Sequence, residues 1–535
     1  MRKFKGESIF MTFTRLLRVA GAVFSLFFIS TSPVLAGTVT SNEYQQYYHH
    51  NIEQGLMNDV QSIWQDSSGY YHIYYLADLN YKHDDDGTEW YHVKTKDFVH
   101  YEKLGIAIPK FQNKWEAVAT GSVIKNTNKF FSDLPKKAII AYFTSYTPTG
   151  QKQYVAYSID NGVTYQPYSD GAIMSASSAK AHFRDPYVFF NKETKKMTMY
   201  LAEDDKIGVY TSGDGKNFNY VGATPLNSGA LNGKDLGLIE CPNLKTMCDT
   251  TTGTTKTVMF FGANGYNYGQ TSGSYYMVGH LDDNGVFVAE QQPKRVDDGS
   301  DYYASNYFQT SDNTNILSIG WLGNWEYSCK KIVDANNEQS YKLGSLSLAH
   351  QLNLTKVNGE YTMTSSLVKP YDSLTKTVKD TINTSQLSKD NEGYYQLLDT
   401  QRWTSQNFYV QMTNKKKETV CGNIHLSFKQ KDSTIDLNYN ADTGYYTVSR
   451  QTKNIADSDA NTEYNKKFVE QSGVVNPNVF KLHVYTDKTS VEFEFENSGR
   501  TYSLLKYSTE ENLLFNIETD SENDLFYSMS NIDNK

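Results

Sequence analysis

The feature that most constrains this chain is a turn that keeps returning. Thr95-Lys96-Asp97 is followed by Tyr101, Ser158-Ile159-Asp160-Asn161-Gly162 by Tyr165, Ser212-Gly213-Asp214-Gly215 by Phe218, and Leu281-Asp282-Asp283-Asn284-Gly285 by Phe287. The aspartates at 97, 160, 214 and 283 are 63, 54 and 69 residues apart. Each segment reads as a hairpin turn, because Asp and Asn hydrogen-bond their own backbone and Gly tolerates positive φ. Between the turns lie short apolar or alternating runs such as Tyr70–Tyr75, Ala138–Phe143 and Thr257–Phe261, the pattern of buried or half-buried strands. No amphipathic stretch exceeds three helical turns. A repeat of this length, with room for about four short strands, describes one blade of a β-propeller. Residues 45–365 are therefore expected to form five blades. Polar residues Asp59, Ser122, Asp185, Glu240 and Asp301 stand at intervals of 63, 63, 55 and 61. If each lies on the innermost strand of its blade, all five converge on the central axis.

After Lys369 the texture changes. Strands such as Tyr445–Val448 and the pair Phe480–Tyr485 and Ser490–Phe495 follow one another with short turns, which predicts a β-sandwich over 372–535. The chain is thus read as all-β, a five-bladed β-propeller followed by a C-terminal β-sandwich. Its 42 Tyr and 27 Phe against 11 Pro agree with this, since aromatic residues suit pleated, half-buried surfaces. Some of the same rings can serve as platforms for the C–H faces of sugars.

The net charge of -9 comes without any basic block, which argues against nucleic acid and anionic membrane as partners and favours a neutral substrate. At the N-terminus, Arg2, Lys3, Lys5, Arg15 and Arg18 precede an apolar run from Val19 to Ile29, and Val34-Leu35-Ala36 has the form of a cleavage site. Residues 1–36 read as a signal peptide whose apolar run is too short to span a bilayer. The expected product is a secreted, extracellular monomer with no membrane anchor. Four cysteines, Cys241, Cys248, Cys329 and Cys421, fit neither a disulfide scaffold nor a zinc motif. Cys241 and Cys248 could close a small loop, although burial of Cys241 beside a catalytic group is the simpler account.

Three local sequences carry the chemistry: Met57-Asn58-Asp59, Phe183-Arg184-Asp185-Pro186 and Ile239-Glu240-Cys241-Pro242. Taken singly, each has a bland reading as a turn cap, a salt bridge or a solvated acid. Together and in this order, they resemble the motifs of glycoside hydrolase family 32, the invertases, inulinases and levanases. Secondary matches are Tyr71–Tyr75, Asp97–Tyr101, Asp301-Tyr302-Tyr303, Trp321–Trp325 and the segment Asp487–Phe493. The resemblance implies a five-bladed propeller with a sandwich, and a retaining hydrolase of β-fructosidic bonds. In such an enzyme two carboxyl groups stand about 5–5.5 Å apart, one ionised to attack and one protonated to release the leaving oxygen. By resemblance Asp59 is the nucleophile, Glu240 the acid/base, and Asp185 holds fructose hydroxyls and stabilises the transition state. Arg184 is expected to keep Asp185 charged. Asn58, Ser122 and Asn264, with Asn324, are expected to contact substrate hydroxyls, and Trp90 and Trp325 to stack on sugar. Tyr303 joins the substrate-binding set through its motif. No metal or organic cofactor is required. The run His83-Asp84-Asp85-Asp86 reads as a solvated loop in preference to a calcium site.

The departures from the family pattern bear on substrate shape. Leu56 stands where the nucleophile motif has its first Trp, Val60-Gln61-Ser62 replaces Pro-Asn-Gly, Leu76 replaces a Gln, and Ala119 replaces Trp or Phe. Loss of bulk and of a hydrogen-bonding group implies a more open site than one terminal fructose needs. Gly87–His92 resembles the corresponding stretch of bacterial endo-levanases. The reading is therefore a fructan polysaccharide or oligosaccharide substrate cut within the chain, with levan (β-2,6) ahead of inulin (β-2,1). Alternatives on the same scaffold are an exo-acting inulinase or invertase, a fructosyltransferase and an inverting glycosidase. A non-catalytic fructan-binding protein is the alternative from another class.

Overall fold

The computed structural model describes residues 44–533, apart from 82–86, 113, 169, 180, 205, 226–235, 266–270, 311–314, 331, 334–341, 400–406, 415–418, 468–469 and 511–512. The leader read over 1–36 and the acidic loop His83–Asp86 lie outside the described residues. Strands dominate what is described, and Ser458–Thr462 is its one α-helix, capped by the Asp457 side chain accepting from the Asp459 and Ala460 amides.

Seven sheets form among the described residues, and in each of the first five the main strands pair in chain order. The first strands of these five are Gly55–Gln65, Ala117–Lys125, Phe183–Asn191, Ile239–Cys248 and Tyr303–Gln309. Each touches the next, and Tyr303–Gln309 returns to touch Gly55–Gln65, so the five strands close a ring. The backbone closes it a second time, because Lys342–Leu343 pairs in parallel with Gly55–Leu56. Every junction between neighbouring sheets has its own apolar filling. Trp64, Tyr74 and Trp90 meet Val118 and Phe143 between the first and second sheets. Ile140 and Tyr142 meet Val188 and Met199 at the next junction. Val209 meets Met259 and Phe261, Phe260 meets Tyr307 and Leu352, and Ile63 and Ile73 meet Ile319.

A repeated latch explains part of the tyrosine excess. The fully buried Tyr74 donates to the Gly162 carbonyl, Tyr142 to Gly215 and Tyr200 to Gly285, at 3.0, 2.8 and 2.5 Å. In each case a second-strand tyrosine reaches the recurrent turn of the following sheet. The three glycines sit at φ of 80°, 75° and 81°, a region that L-residues enter only at a cost. Within the turns, Asp97, Asp160 and Asp214 accept from the backbone amides at 99 and 100, 163 and 164, and 216 and 217. In the fourth sheet that part is taken by Asp282, which accepts from the Asn284 and Val286 amides, and not by Asp283.

The last two sheets have six strands each, begin at Leu374 and face one another across a single apolar cluster that includes Val410, Leu426, Phe493 and Ile517. Buried acids tie this pair of sheets to the rest. Asp487 accepts from the amides of Tyr47, Tyr48 and His49, and the His49 ring bridges Asp487 and Glu492 at 2.8 and 2.6 Å. The two carboxylates outweigh the desolvation of the imidazole and raise its pKa to about 9. Asp301, expected on the central axis, is instead part of this seam. It is fully buried and is bonded by Arg450, Tyr327 and the Leu505 amide. Arg450→Met would leave that carboxylate buried without its cation, an expected loss of about 3–5 kcal/mol in denaturant unfolding. Adding Asp301→Leu should recover much of the loss. Equal stability of wild type and Arg450→Met would contradict this account.

Candidate active site

All five first strands break register at the same level. The ladder skips from Met57 to Val60, Val118 to Gly121, Arg184 to Tyr187, Glu240 to Asn243 and Tyr303 to Asn306. Each skip inserts an extra residue, a β-bulge that re-aims side chains out of the strict alternation of a strand. Asp185, Cys241 and Ala304 take φ of 62°, 53° and 43° to make the bend. Pro186 and Pro242 fall inside two of the skips, where a missing N–H breaks no ladder bond.

The bulges knit one cluster out of five sheets. Asp59 Oδ2 accepts from Thr120 Oγ1 at 2.8 Å, and Asn58 Nδ2 lies 3.3 Å from Asp59 Oδ1. Cys241 Sγ stands 3.7 Å from the same Asp59 Oδ2, and its backbone amide donates to Asp185 Oδ2 at 2.9 Å. Glu240 is gripped on both oxygens, with Arg184 Nη2 on Oε1 at 3.0 Å and the Tyr303 hydroxyl on Oε2 at 2.6 Å. The Arg184 Nε lies farther from Asp185 Oδ2, at 3.8 Å. Arg184 thus serves Glu240 first, and it does not hold Asp185 low: burial, helped by the Glu240 charge, outweighs it and lifts that carboxyl to about 6. Burial and then repulsion from Glu240 and Asp185 push Asp59 up to about 7. Burial and the neighbouring carboxylates keep the Cys241 thiol protonated, so it can only donate to Asp59. Cys241 and Cys248 are both free thiols.

The remaining expected residues divide. Tyr303 is in the cluster, and its indole neighbour across the ladder, Trp321, is buried with no partner for Nε1. Trp325 packs 4.8 Å from Trp321 and is 37% exposed, so one face is open to a ring. Asn58 Oδ1 and Asn264 Oδ1 are buried acceptors without a donor. Trp90 is different: it is fully buried and its Nε1 donates to the Ala119 carbonyl at 2.8 Å, so it supports the second bulge from behind and offers no face to a sugar. Ser122 is likewise consumed, donating to the Pro186 carbonyl at 2.7 Å and accepting from the Val188 amide. Thr120 occupies the place assigned to it. Asn324 is spent on Thr271, Ser300 and the Glu326 amide. Leu56 and Leu76 are almost fully buried in apolar clusters, and Ala119, inside the second bulge, is as buried as they are. Sequence reasoning missed Thr120, although it stands beside Ala119, and Tyr146, an exposed ring within electrostatic reach of Arg184, Asp185 and Glu240.

Two carboxyl groups presented from different sheets, one held by hydroxyl and thiol donors and one by a guanidinium and a phenol, can act as nucleophile and proton donor on a single acetal. Among the described residues no helix is long and apolar enough to cross a membrane. Residues 49–365 match the family model described as the glycosyl hydrolases family 32 N-terminal domain. The chain is 30% identical to a levanbiose-producing levanase of Bacillus subtilis, over 86% of this chain and 84% of that protein. It is 32% identical to invertase 1 of Saccharomyces cerevisiae over 58% of each. In fold it is similar to a fructofuranosidase from Schwanniomyces occidentalis complexed with fructosylnystose, with a TM-score of 0.76 and 22% identity over 92% of this chain and 98% of the other. This chain belongs to glycoside hydrolase family 32 and is a glycosidase.

Proposed function

We propose that the protein is a secreted, retaining β-fructosidase that cuts within levan, with Asp59 as nucleophile, Glu240 as acid/base and Asp185 as the transition-state stabiliser. The observation that carries this reading is the meeting of these three carboxyl groups at the bulges of a closed ring of strands. The five sheets of residues 45–365 are read as the blades of a propeller, and residues 372–535 as a sandwich that braces it. Asp59 attacks the anomeric carbon while Glu240 protonates the departing oxygen, and Glu240 then takes a proton from the water that releases the sugar. Cys241 and Thr120 aim the Asp59 carboxylate, and Arg184 and Tyr303 aim Glu240. Asn58, Arg184, Asn264 and Tyr303 are assigned to fructose hydroxyls, and Trp325 to stacking. Trp90 and Ser122 act only by holding the bulges in place.

Levan is preferred because the levanbiose-producing levanases of Bacillus subtilis and Geobacillus stearothermophilus align at 30% and 32% identity. The deciding experiment incubates the secreted protein separately with levan, inulin and sucrose and sizes the early products. Shortened oligosaccharides from levan are expected ahead of free fructose. Free fructose alone from the first minutes would replace the endo reading by an exo one, and no release from any of the three would sink the fructan assignment.

A further inference from the structure

Beside the catalytic cluster, a cavity of about 490 Å³ opens between the second and third sheets. Met174, His182, Glu203, Asp204, Lys206 and Tyr210 line it. It is joined to the cluster by one side chain. Arg184 gives Nη2 to Glu240 and Nη1 to His182 Nδ1. A guanidinium can only donate, so Nδ1 must carry the lone pair and Nε2 the proton. The ring that lines the cavity is therefore a neutral imidazole with one N–H to give. Burial and the Arg184 charge lower its pKa in agreement with that tautomer.

The other groups are held as firmly. Glu203 Oε1 accepts from the Tyr210 hydroxyl at 2.7 Å, and Lys206 Nζ stands 3.5 Å from Oε2. Gly208 makes room for this carboxylate, since a Cβ there would come within 1.9 Å of Glu203 Oε1. Asp204 Oδ1 accepts the His182 backbone amide at 2.9 Å, which fixes the rim. Donors and acceptors are mixed, with two carboxylates against one ammonium, and Met174 and the Tyr210 ring add apolar surface. Such a lining suits a neutral polyol ring far better than an anion or a lipid. The volume is within the range of about 300–1,000 Å³ usual for small-molecule sites.

Position decides which ring. The acid/base must touch the oxygen of the departing sugar, so leaving-group residues lie on the Glu240 side of the cluster. We infer that the cavity formed by His182, Glu203, Lys206 and Tyr210 is a binding subsite for the leaving-group portion of the fructan, with Glu203 as its specificity-determining hydroxyl acceptor. This rests on the β-fructosidase reading above. It implies that part of the selection for a polymer is made by third-sheet residues other than those that hold the cleaved fructose.

The test compares kcat/KM for methyl β-D-fructofuranoside, whose leaving group is too small to reach the cavity, with kcat/KM for a levan oligosaccharide. In Glu203→Gln, which keeps shape and a partner for Tyr210, the oligosaccharide-to-methyl ratio should fall about tenfold, the worth of one well-placed hydrogen bond to a charged group. Lys206→Ala, on an exposed side chain, should lower the same ratio about threefold and stands in if Glu203→Gln does not fold. A ratio unchanged in both variants, or equal losses on both substrates, would overturn the subsite. If the wild type hydrolyses neither compound, the β-fructosidase reading itself fails and takes the subsite with it.

Discussion

Asp59→Asn is expected to lower kcat/KM on levan by about four orders of magnitude and, at the same time, to raise the melting temperature above neutral pH. The first effect follows from the proposed role of Asp59, since an amide in its place cannot form the covalent intermediate. The second follows from electrostatics. The Asp59 carboxyl titrates at about 7 in the fold because it is buried beside Glu240 and Asp185, against about 3.9 in an unfolded chain. A raised carboxyl pKa favours the native state below the unfolded value, and that contribution is lost as pH rises through the folded one. At pH 8 the wild type therefore carries the full repulsion, whereas Asn carries none and still accepts from Thr120. Melting curves at pH 8 and pH 4.5 would show a gain of about 3 °C at the first and little at the second. The same titration predicts that kcat/KM of the wild type falls as pH drops below about 7, since only the ionised Asp59 attacks. A variant less stable than the wild type at pH 8 would show that Asp59 is a structural group first.

Glu240→Ala should cost about three orders of magnitude on levan or sucrose, whose leaving oxygens need a proton. The same variant should lose far less on fructosyl fluoride, whose leaving group departs unaided. The contrast separates a proton donor from a residue that merely shapes the site, because shape would be missed equally by both substrates. Removal of Glu240 also frees Arg184 and the Tyr303 hydroxyl from their shared partner. Glu240→Gln is therefore the companion variant, and it should show the same contrast with the cavity filled. Retention of near-wild-type activity on levan by either would end the acid/base assignment.

Much of this architecture could be read along the chain because its signals are local. The recurrent turns at Asp97, Asp160 and Asp214 hold their own amides, so their meaning does not depend on distant partners. The carboxylates were legible as motifs for a similar reason: Arg-Asp-Pro and Glu-Cys-Pro are the bulges themselves, with proline marking the broken ladder. What could not be read was register. The bulge on the second sheet puts Thr120 on Asp59 and leaves Ser122 bonded to Pro186 and Val188, and Asp301, just ahead of the fifth sheet's first strand, falls in the seam. Asp301 was misplaced for a further reason, since its partner Arg450 lies 149 residues away in a different pair of sheets. Trp90 illustrates the limit of reading aromatic residues by type, because burial at a junction between sheets and exposure at a site draw on the same residue.

The fivefold bulge has a consequence for how such a molecule changes over time. Ladder pairing resumes after every bulge, so the residues that fill the junctions between sheets are indifferent to what stands at the inner rim. An acid, a threonine, a thiol or the bare methyl of Ala304 can occupy a rim position without repacking the wall behind it. The frame and the chemistry can therefore be inherited separately, one rim position at a time. A lineage could alter its chemistry by replacing rim side chains while its architecture stood still.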